Sequence, residues 1–220
     1  MYPPEPWHLR GQMYLSIFLV PRAALPALPA VLNTTVSPVT VAGRAAVGAA
    51  WVHYEPGGVL HYRELLSAVL VHERGRPRVS ITDIWVDSMA SREGGRRLWG
   101  IPKELAELQI SSSAAAVSAF ASAASAPIGS ATVRLGRQLP GRVPVAFSVA
   151  QALGGQVRRT PVRGRAGLRT GKAAWRPDPA GPLGYLAGRR PVLTLAVTDF
   201  YLVFGRTARE RAAARERFTP

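Results

Sequence analysis

The sequence predicts an α+β fold that is mostly antiparallel β. Three observations carry this reading. The 220 residues include 21 glycines and 19 prolines, which divide the chain into many short elements and argue against a long helical bundle. Segments rich in β-branched and aromatic residues recur along its length. Three of them, residues 39–53, 60–72 and 79–86, are separated only by short turns, and short turns join antiparallel strands.

The elements follow in order. Residues 1–11 form a Pro-rich lead-in, where Pro3, Pro4 and Pro6 exclude regular helix. Residues 12–20 (QMYLSIFLV) read as a buried strand. Residues 23–32 hold a short helical turn broken by Pro26 and Pro29. The strand at 39–53 is crossed by Gly43 and Gly48, read as marks of bends or bulges. Glu55-Pro56-Gly57-Gly58 turns the chain into 60–72, and Arg74-Gly75-Arg76-Pro77 turns it again into 79–86. Around residues 88–106 the character changes. Ser91 with Glu93 opens a short helix, and Gly100 and Pro102 end it.

Residues 108–122 carry the alanine content of a helix but lie among turn-rich segments, and we read them as a strand. Residues 128–135, 143–150 and 191–204 are further strands, the last the strongest of the C-terminal half. Between them, 154–178 carries Arg158, Arg159, Arg163, Arg165, Arg169, Lys172 and Arg176. Residues 206–218 read as a surface helix. With no internal repeat and no long linker, residues 1–220 are expected to be one domain, flanked by the lead-in (1–11) and a surface tail (206–220).

Composition narrows the function classes. The chain has no cysteine, which excludes disulfides, thiolate chemistry and cysteine-ligated zinc or iron–sulfur sites. His8, His61 and His72 have no metal-site spacing, so no metal is expected. The apolar run 13–20 is far shorter than the roughly 20 residues of a membrane span. The first six residues lack the basic n-region of a signal peptide, so the expected location is cytoplasmic, with no membrane partner. The net charge of +15 invites a nucleic-acid reading. Against it, the basic stretch 154–178 has Trp175 as its one aromatic and matches no standard motif, so no nucleic-acid partner is expected. Arginine supplies nearly all the positive charge. Lys103 and Lys172 are the only lysines, and a lysine retained among arginines suggests a need for an amine that can lose its proton.

Residues 94–106 read GGRRLWGIPKELA. This string resembles the active-site segment of acetoacetate decarboxylases, in which a Gly-Arg pair precedes an aromatic or apolar residue, Pro, two lysines and Leu. Gly95, Arg96, Pro102, Lys103 and Leu105 match by position. Pro4-Glu5-Pro6-Trp7 with Leu9 and Gly11 is similar to the opening of actinobacterial-type members. Tyr62-Arg63-Glu64 is similar to the family's Tyr-x-Glu strand, and Asp199-Phe200 with Val203-Phe204-Gly205 to its closing strand. These matches run in order over nearly the whole chain.

The resemblance implies a curved sheet forming a cone around a buried pocket, a homo-oligomer, and a reaction without metal or organic cofactor. It implies a Schiff base between Lys103 and the ketone of a keto acid, with Glu64 as the pocket carboxylate and Arg10 near the substrate-facing arginine. An iminium accepts the electrons of a breaking carbon–carbon bond better than a ketone does. The attacking amine must first be neutral, although an unperturbed lysine has a pKa of about 10.4. Burial or a nearby cation lowers it. Acetoacetate decarboxylase is itself the usual illustration of such activation. Arg96 would add positive potential, and Tyr62 and His53 would line the same pocket.

Two departures stand out. Glu104 occupies the place of the second lysine, and no acid stands near Ala49, where a second pocket glutamate would fall. A carboxylate beside the amine favours the ammonium unless it points away, as the next residue of a strand does. Glu104 could also serve as acid or base in aldol or dehydration chemistry. The expectation is a cofactor-free carbon–carbon lyase, decarboxylase-like or of aldol/dehydration type, acting on a small carbonyl or carboxylate substrate in specialised metabolism. The alternative is a non-catalytic member that binds such a ligand.

Overall fold

Alternation of buried and exposed side chains begins at Trp7, and the first strand begins with it. A computed structural model describes residues 1–124, 126–207 and 210. In it β1 (Trp7–Pro21) leads through a 3₁₀ turn to the single-turn helix α1 (Ala30–Asn33), as the prolines at 26 and 29 dictate. The short strands β2 (Ser37–Pro38) and β3 (Thr40–Val41) precede the expected meander of β4 (Arg44–Tyr54), β5 (Tyr62–Glu73) and β6 (Arg76–Val86). Helix α2 (Met89–Trp99) and the three-residue β7 (Lys103–Leu105) follow. The remainder is strand: β8 (Glu107–Ser112), β9 (Ala116–Ala123), β10 (Ala126–Gln138), β11 (Val143–Leu153), β12 (Gln156–Pro177) and β13 (Leu193–Phe204).

The strands run β11-β6-β5-β4-β1-β13-β12, and β12 pairs back with β11, which closes the curved sheet into a ring. β10, β9 and β8 extend it from the far half of β12. Pairing is antiparallel except where β6 meets β7 and touches β11. One buried cluster draws Leu9, Val52, Tyr62, Ile84, Val149, Val162 and Phe200 from all the ring strands, and so fills the interior. A second, with Trp51, Leu65, Trp85 and Val117, seats the β8–β10 layer on the outside of the ring. A third, with Phe18, Val47 and Val69, lies under Leu32 of α1.

The structure moves several boundaries. β1 starts at Trp7 because Trp7 and Leu9 alternate inward and pair with Phe204 and Leu202. Residues 108–122 are two strands. Ser113 makes the turn, its hydroxyl oxygen accepting from the backbone N–H groups of Ala115 and Ala116. The basic stretch 154–178 is the longest strand, with Thr160, Val162 and Ala166 inward between the arginines. Gly48 marks no bulge, since register is unbroken across it. Of the surface helix read at 206–218, all but residues 206, 207 and 210 lie outside the described residues. Among the described residues no helix is long and apolar enough to cross a membrane.

Helix α2 packs against both Trp7 and Lys103. Its cap is Ser88, whose side chain accepts from the Ser91 N–H, and Gly100, in the left-handed region at φ 69°, closes it. Gly94 and Gly95 sit mid-helix, where each glycine costs about 1 kcal/mol relative to alanine. Packing explains the first of them: a Cβ on Gly94 would lie 2.4 Å from the Trp7 indole. Trp7 is itself fixed edge-on against Trp99 at 4.8 Å, and its N–H donates to the Pro3 carbonyl.

Gly94→Ala should therefore reverse the sign that helix propensity gives. We expect it to lower stability by about 1–3 kcal/mol, the usual cost of overpacking. Urea denaturation reads this directly, and a rise in the midpoint would contradict the packing.

Candidate active site

Gly100 turns the chain back so that β7 runs beside the end of β6, with Lys103 opposite Ile84. Strand alternation sends Ile101 and Lys103 inward and Glu104 outward. The Lys103 stem lies on Gly95, where a Cβ would approach its Cδ to 2.8 Å, so the second helix glycine makes room for the lysine.

Lys103 is 4% exposed and its three N–H bonds are all used. Nζ donates to Glu64 Oε2 at 2.7 Å, to Ser91 Oγ at 2.9 Å and to the Tyr62 hydroxyl at 3.2 Å. Glu64, 2% exposed, sits in β5 between Val52 and Val86 of the neighbouring strands. Its other oxygen accepts from the Tyr54 hydroxyl at 3.1 Å. Tyr54 stacks on Tyr62 at 4.3 Å and meets the edge of Phe200. Among the described residues this cluster holds one cation and one anion.

Burial pulls the Lys103 ammonium toward deprotonation, but the Glu64 carboxylate, with Tyr62, outweighs it and holds the group above the ordinary lysine value. Burial, reinforced by the Glu64 carboxylate, pushes Tyr54 well above the ordinary phenol value. Burial also raises Tyr62, against the pull of Lys103. Both tyrosines stay neutral and able to donate a hydrogen bond at physiological pH.

The structure brings Lys103, Glu64 and Tyr62 together and leaves the other sequence candidates outside. Glu104 is exposed and paired with Arg92 at 3.4 Å and with Arg96, so its carboxylate is turned away from the amine. Arg96 donates from Nε to the Lys103 carbonyl at 2.6 Å and so positions the lysine backbone, with its guanidinium outside the cluster. Arg10 is exposed on β1 and lies over the Tyr201 ring at 5.5 Å, because Leu9 is the neighbour that points inward. His53 falls between the inward Val52 and Tyr54, and thus faces the other side of the sheet.

Two members of the cluster escaped the sequence reading. Ser91 lies four residues before Gly95, the spacing of one helix face. The packing of Gly95 against the Lys103 stem therefore brings the Ser91 hydroxyl to the amine. Tyr54 stands directly opposite Tyr62 across the β4–β5 ladder, a register fixed only once the hairpin turn is known.

A family model described as acetoacetate decarboxylase matches residues 3–170, and the chain belongs to that family. No curated protein matches the sequence. Among solved structures, an acetoacetate decarboxylase from Legionella pneumophila is similar at 17% identity, covering 92% of this chain and 85% of that one, with a TM-score of 0.67. The enduracididine biosynthesis enzyme MppR, complexed with pyruvate, is similar at 20% identity over 93% of this chain and 88% of that one, TM-score 0.62. An acetoacetate decarboxylase-like enzyme from Sphingomonas wittichii RW1 is similar at 17% identity over 93% of each chain, TM-score 0.61. At these identities the shared feature is the fold.

Removing one partner of a buried ion pair leaves the other uncompensated. Glu64→Leu should cost about 3 kcal/mol or more at neutral pH, and the double variant with Lys103→Met should cost less than the single. Urea denaturation of the set tests this, and additive losses would contradict a coupled pair. The raised Lys103 value also fixes a pH window. Its stabilisation is fully present below the unfolded lysine pKa of about 10.4 and is lost as pH rises through the higher folded value.

Proposed function

We propose that this member of the acetoacetate decarboxylase family is a lyase-type enzyme that forms an imine between Lys103 and a small keto acid or related carbonyl compound. The observation that carries the reading is the buried 2.7 Å contact between Lys103 Nζ and Glu64. It joins a nucleophile to a proton acceptor inside a closed ring of strands. MppR, which has a similar fold, is complexed with pyruvate, and this supports a small keto acid as the ligand class here.

The resting lysine is an ammonium, so the first step is proton transfer. One proton passes from Nζ to Glu64 across the 2.7 Å contact, an uphill step that converts the buried ion pair into two neutral groups without changing the net charge of the cluster. The freed amine attacks the carbonyl carbon to give a carbinolamine. Glu64 then returns the proton to the departing hydroxyl, water leaves, and an iminium remains beside the regenerated carboxylate. The iminium carries the charge that the ammonium had, in the place where Glu64 already stabilises a cation. In a β-keto acid the bond to the carboxylate breaks next, its electrons pass to the iminium nitrogen, and carbon dioxide leaves an enamine. Loss of a proton from the neighbouring carbon to Glu64 reaches an enamine too and opens aldol or dehydration chemistry. Protonation at carbon and hydrolysis release the lysine.

Each remaining group has a part. Tyr62, the longest of the three contacts to Nζ, is the partner that an incoming carbonyl displaces most readily. Tyr54 and Tyr62 can donate to the carbinolamine oxygen. The family's second lysine is absent and Glu104 is held outside, so no neighbouring cation in the cluster lowers the lysine pKa. Proton transfer to Glu64 has to take over that work.

Reductive trapping tests the proposal. The protein is incubated with acetoacetate or with pyruvate, treated with borohydride, and mapped by mass spectrometry. We expect the adduct on Lys103 and none in Lys103→Ala. No adduct on Lys103, or equal labelling of Lys172, would contradict imine formation and favour a family member that binds its ligand without turnover.

A further inference from the structure

The longest strand parts from its neighbour before either ends. β12 and β13 pair from Val162 opposite Phe204 to Thr170 opposite Leu195. Beyond that point β12 keeps only β10, from Gly171 to Pro177, while β13 keeps β1 through Leu193. In the fork lies a cleft of about 650 Å³, lined by residues 171–175 on one side and 188–194 on the other. That volume falls within the range of small-molecule sites, roughly 300–1,000 Å³.

The charged residues of the cleft are all of one sign. Lys172, Arg189 and Arg190 line it and no acidic residue does. Among the described residues none of the three is in an ion pair, whereas Arg63, Arg78, Arg158, Arg159 and Arg163 each have a carboxylate partner. Arg189 is anchored through Nε to the Tyr185 carbonyl at 2.8 Å, which leaves its two terminal nitrogens as donors. Arg134 stands directly opposite Lys172 across the β10–β12 ladder, and like charges so placed repel. A bound anion would relieve both costs.

The cleft also has a fixed floor and an apolar rim. Trp175 Nε1 donates to Ser16 Oγ, which is bonded in turn to Thr194, so the two sides of the fork are tied together at 2.9 Å each. Val192 and Leu193 at its edge are 61% and 49% exposed. We propose that this fork binds a small organic anion. Its carboxylate or phosphate head would sit on Arg189, Arg190 and Lys172, and its apolar body along Val192 and Leu193. The site shares no residue with the Lys103 cluster.

The probe is 1-anilinonaphthalene-8-sulfonate, an apolar anion that fluoresces on binding, titrated into the native protein, in which the Lys103 amine is buried against Glu64. Octanoate, octyl phosphate and octanol serve as competitors. We expect one saturable site, displaced by the two anions and not by octanol, with the better anion identifying the head group. Combining Lys172→Gln, Arg189→Gln and Arg190→Gln should weaken the probe by about tenfold or more, equivalent to roughly 1.4 kcal/mol. The single exposed variant Arg190→Glu gives a second reading if the combined variant does not fold, and it too should weaken binding. Unchanged affinity in the charge variants, or displacement by octanol as strong as by the anions, would overturn the proposal.

Discussion

An ammonium buried beside Tyr62 and Ser91 needs a counter-charge, because an unpaired buried ion costs several kcal/mol and gives up its charge instead. The contact between Lys103 and Glu64 resolves that constraint, and much of the surrounding structure follows from it. Glu64 must be in the ring interior, which fixes the facing of β5. Lys103 must reach it, which requires a reversal at Gly100 and a short parallel strand beside β6. The stem needs space against α2, which requires glycine at 95. Ser91 and Tyr62 then complete the donor–acceptor set around the nitrogen. The outer charges follow the same logic. Arg92 and Arg96 hold Glu104 at the surface, so the lysine interacts with one carboxylate and not two.

The pair also decides how the amine can become reactive. In this cluster burial and the carboxylate oppose each other, and the carboxylate prevails. In the proposed reaction, the lysine would rest as an ammonium and the amine would be released when a proton moves across the 2.7 Å contact. That differs from activation by an adjacent cation, in which the amine is neutral before substrate arrives. The replacement of a second lysine by Glu104 and the central place of Glu64 are thus two aspects of one arrangement.

The sequence made part of this legible. Lys103 stood out as one of two lysines in an arginine-rich chain, following proline in a string that resembles a known active-site segment. Glu64 and Tyr62 came with the Tyr-x-Glu strand. The meander of β4, β5 and β6 followed from turn residues alone. Facing is harder to read, because it alternates every residue in a strand and a one-position difference reverses it. Arg10 beside Leu9, His53 beside Tyr54 and Glu104 beside Lys103 each lost the interior to a neighbour. Ser91 stayed hidden because its proximity depends on how α2 packs, and β12 because its arginines masked the small residues that turn inward.

The whole site turns on the Glu64 carboxylate holding the Lys103 proton. Because the chain has only two lysines, ¹³Cε-labelled lysine gives an NMR spectrum of two signals, assignable with Lys103→Ala. We predict that the Lys103 signal titrates above the ordinary value of about 10.4 in the native protein. In Glu64→Gln burial acts without the carboxylate, and the same signal should titrate below that value. A Lys103 signal that titrates at the same pH in both proteins would contradict the account.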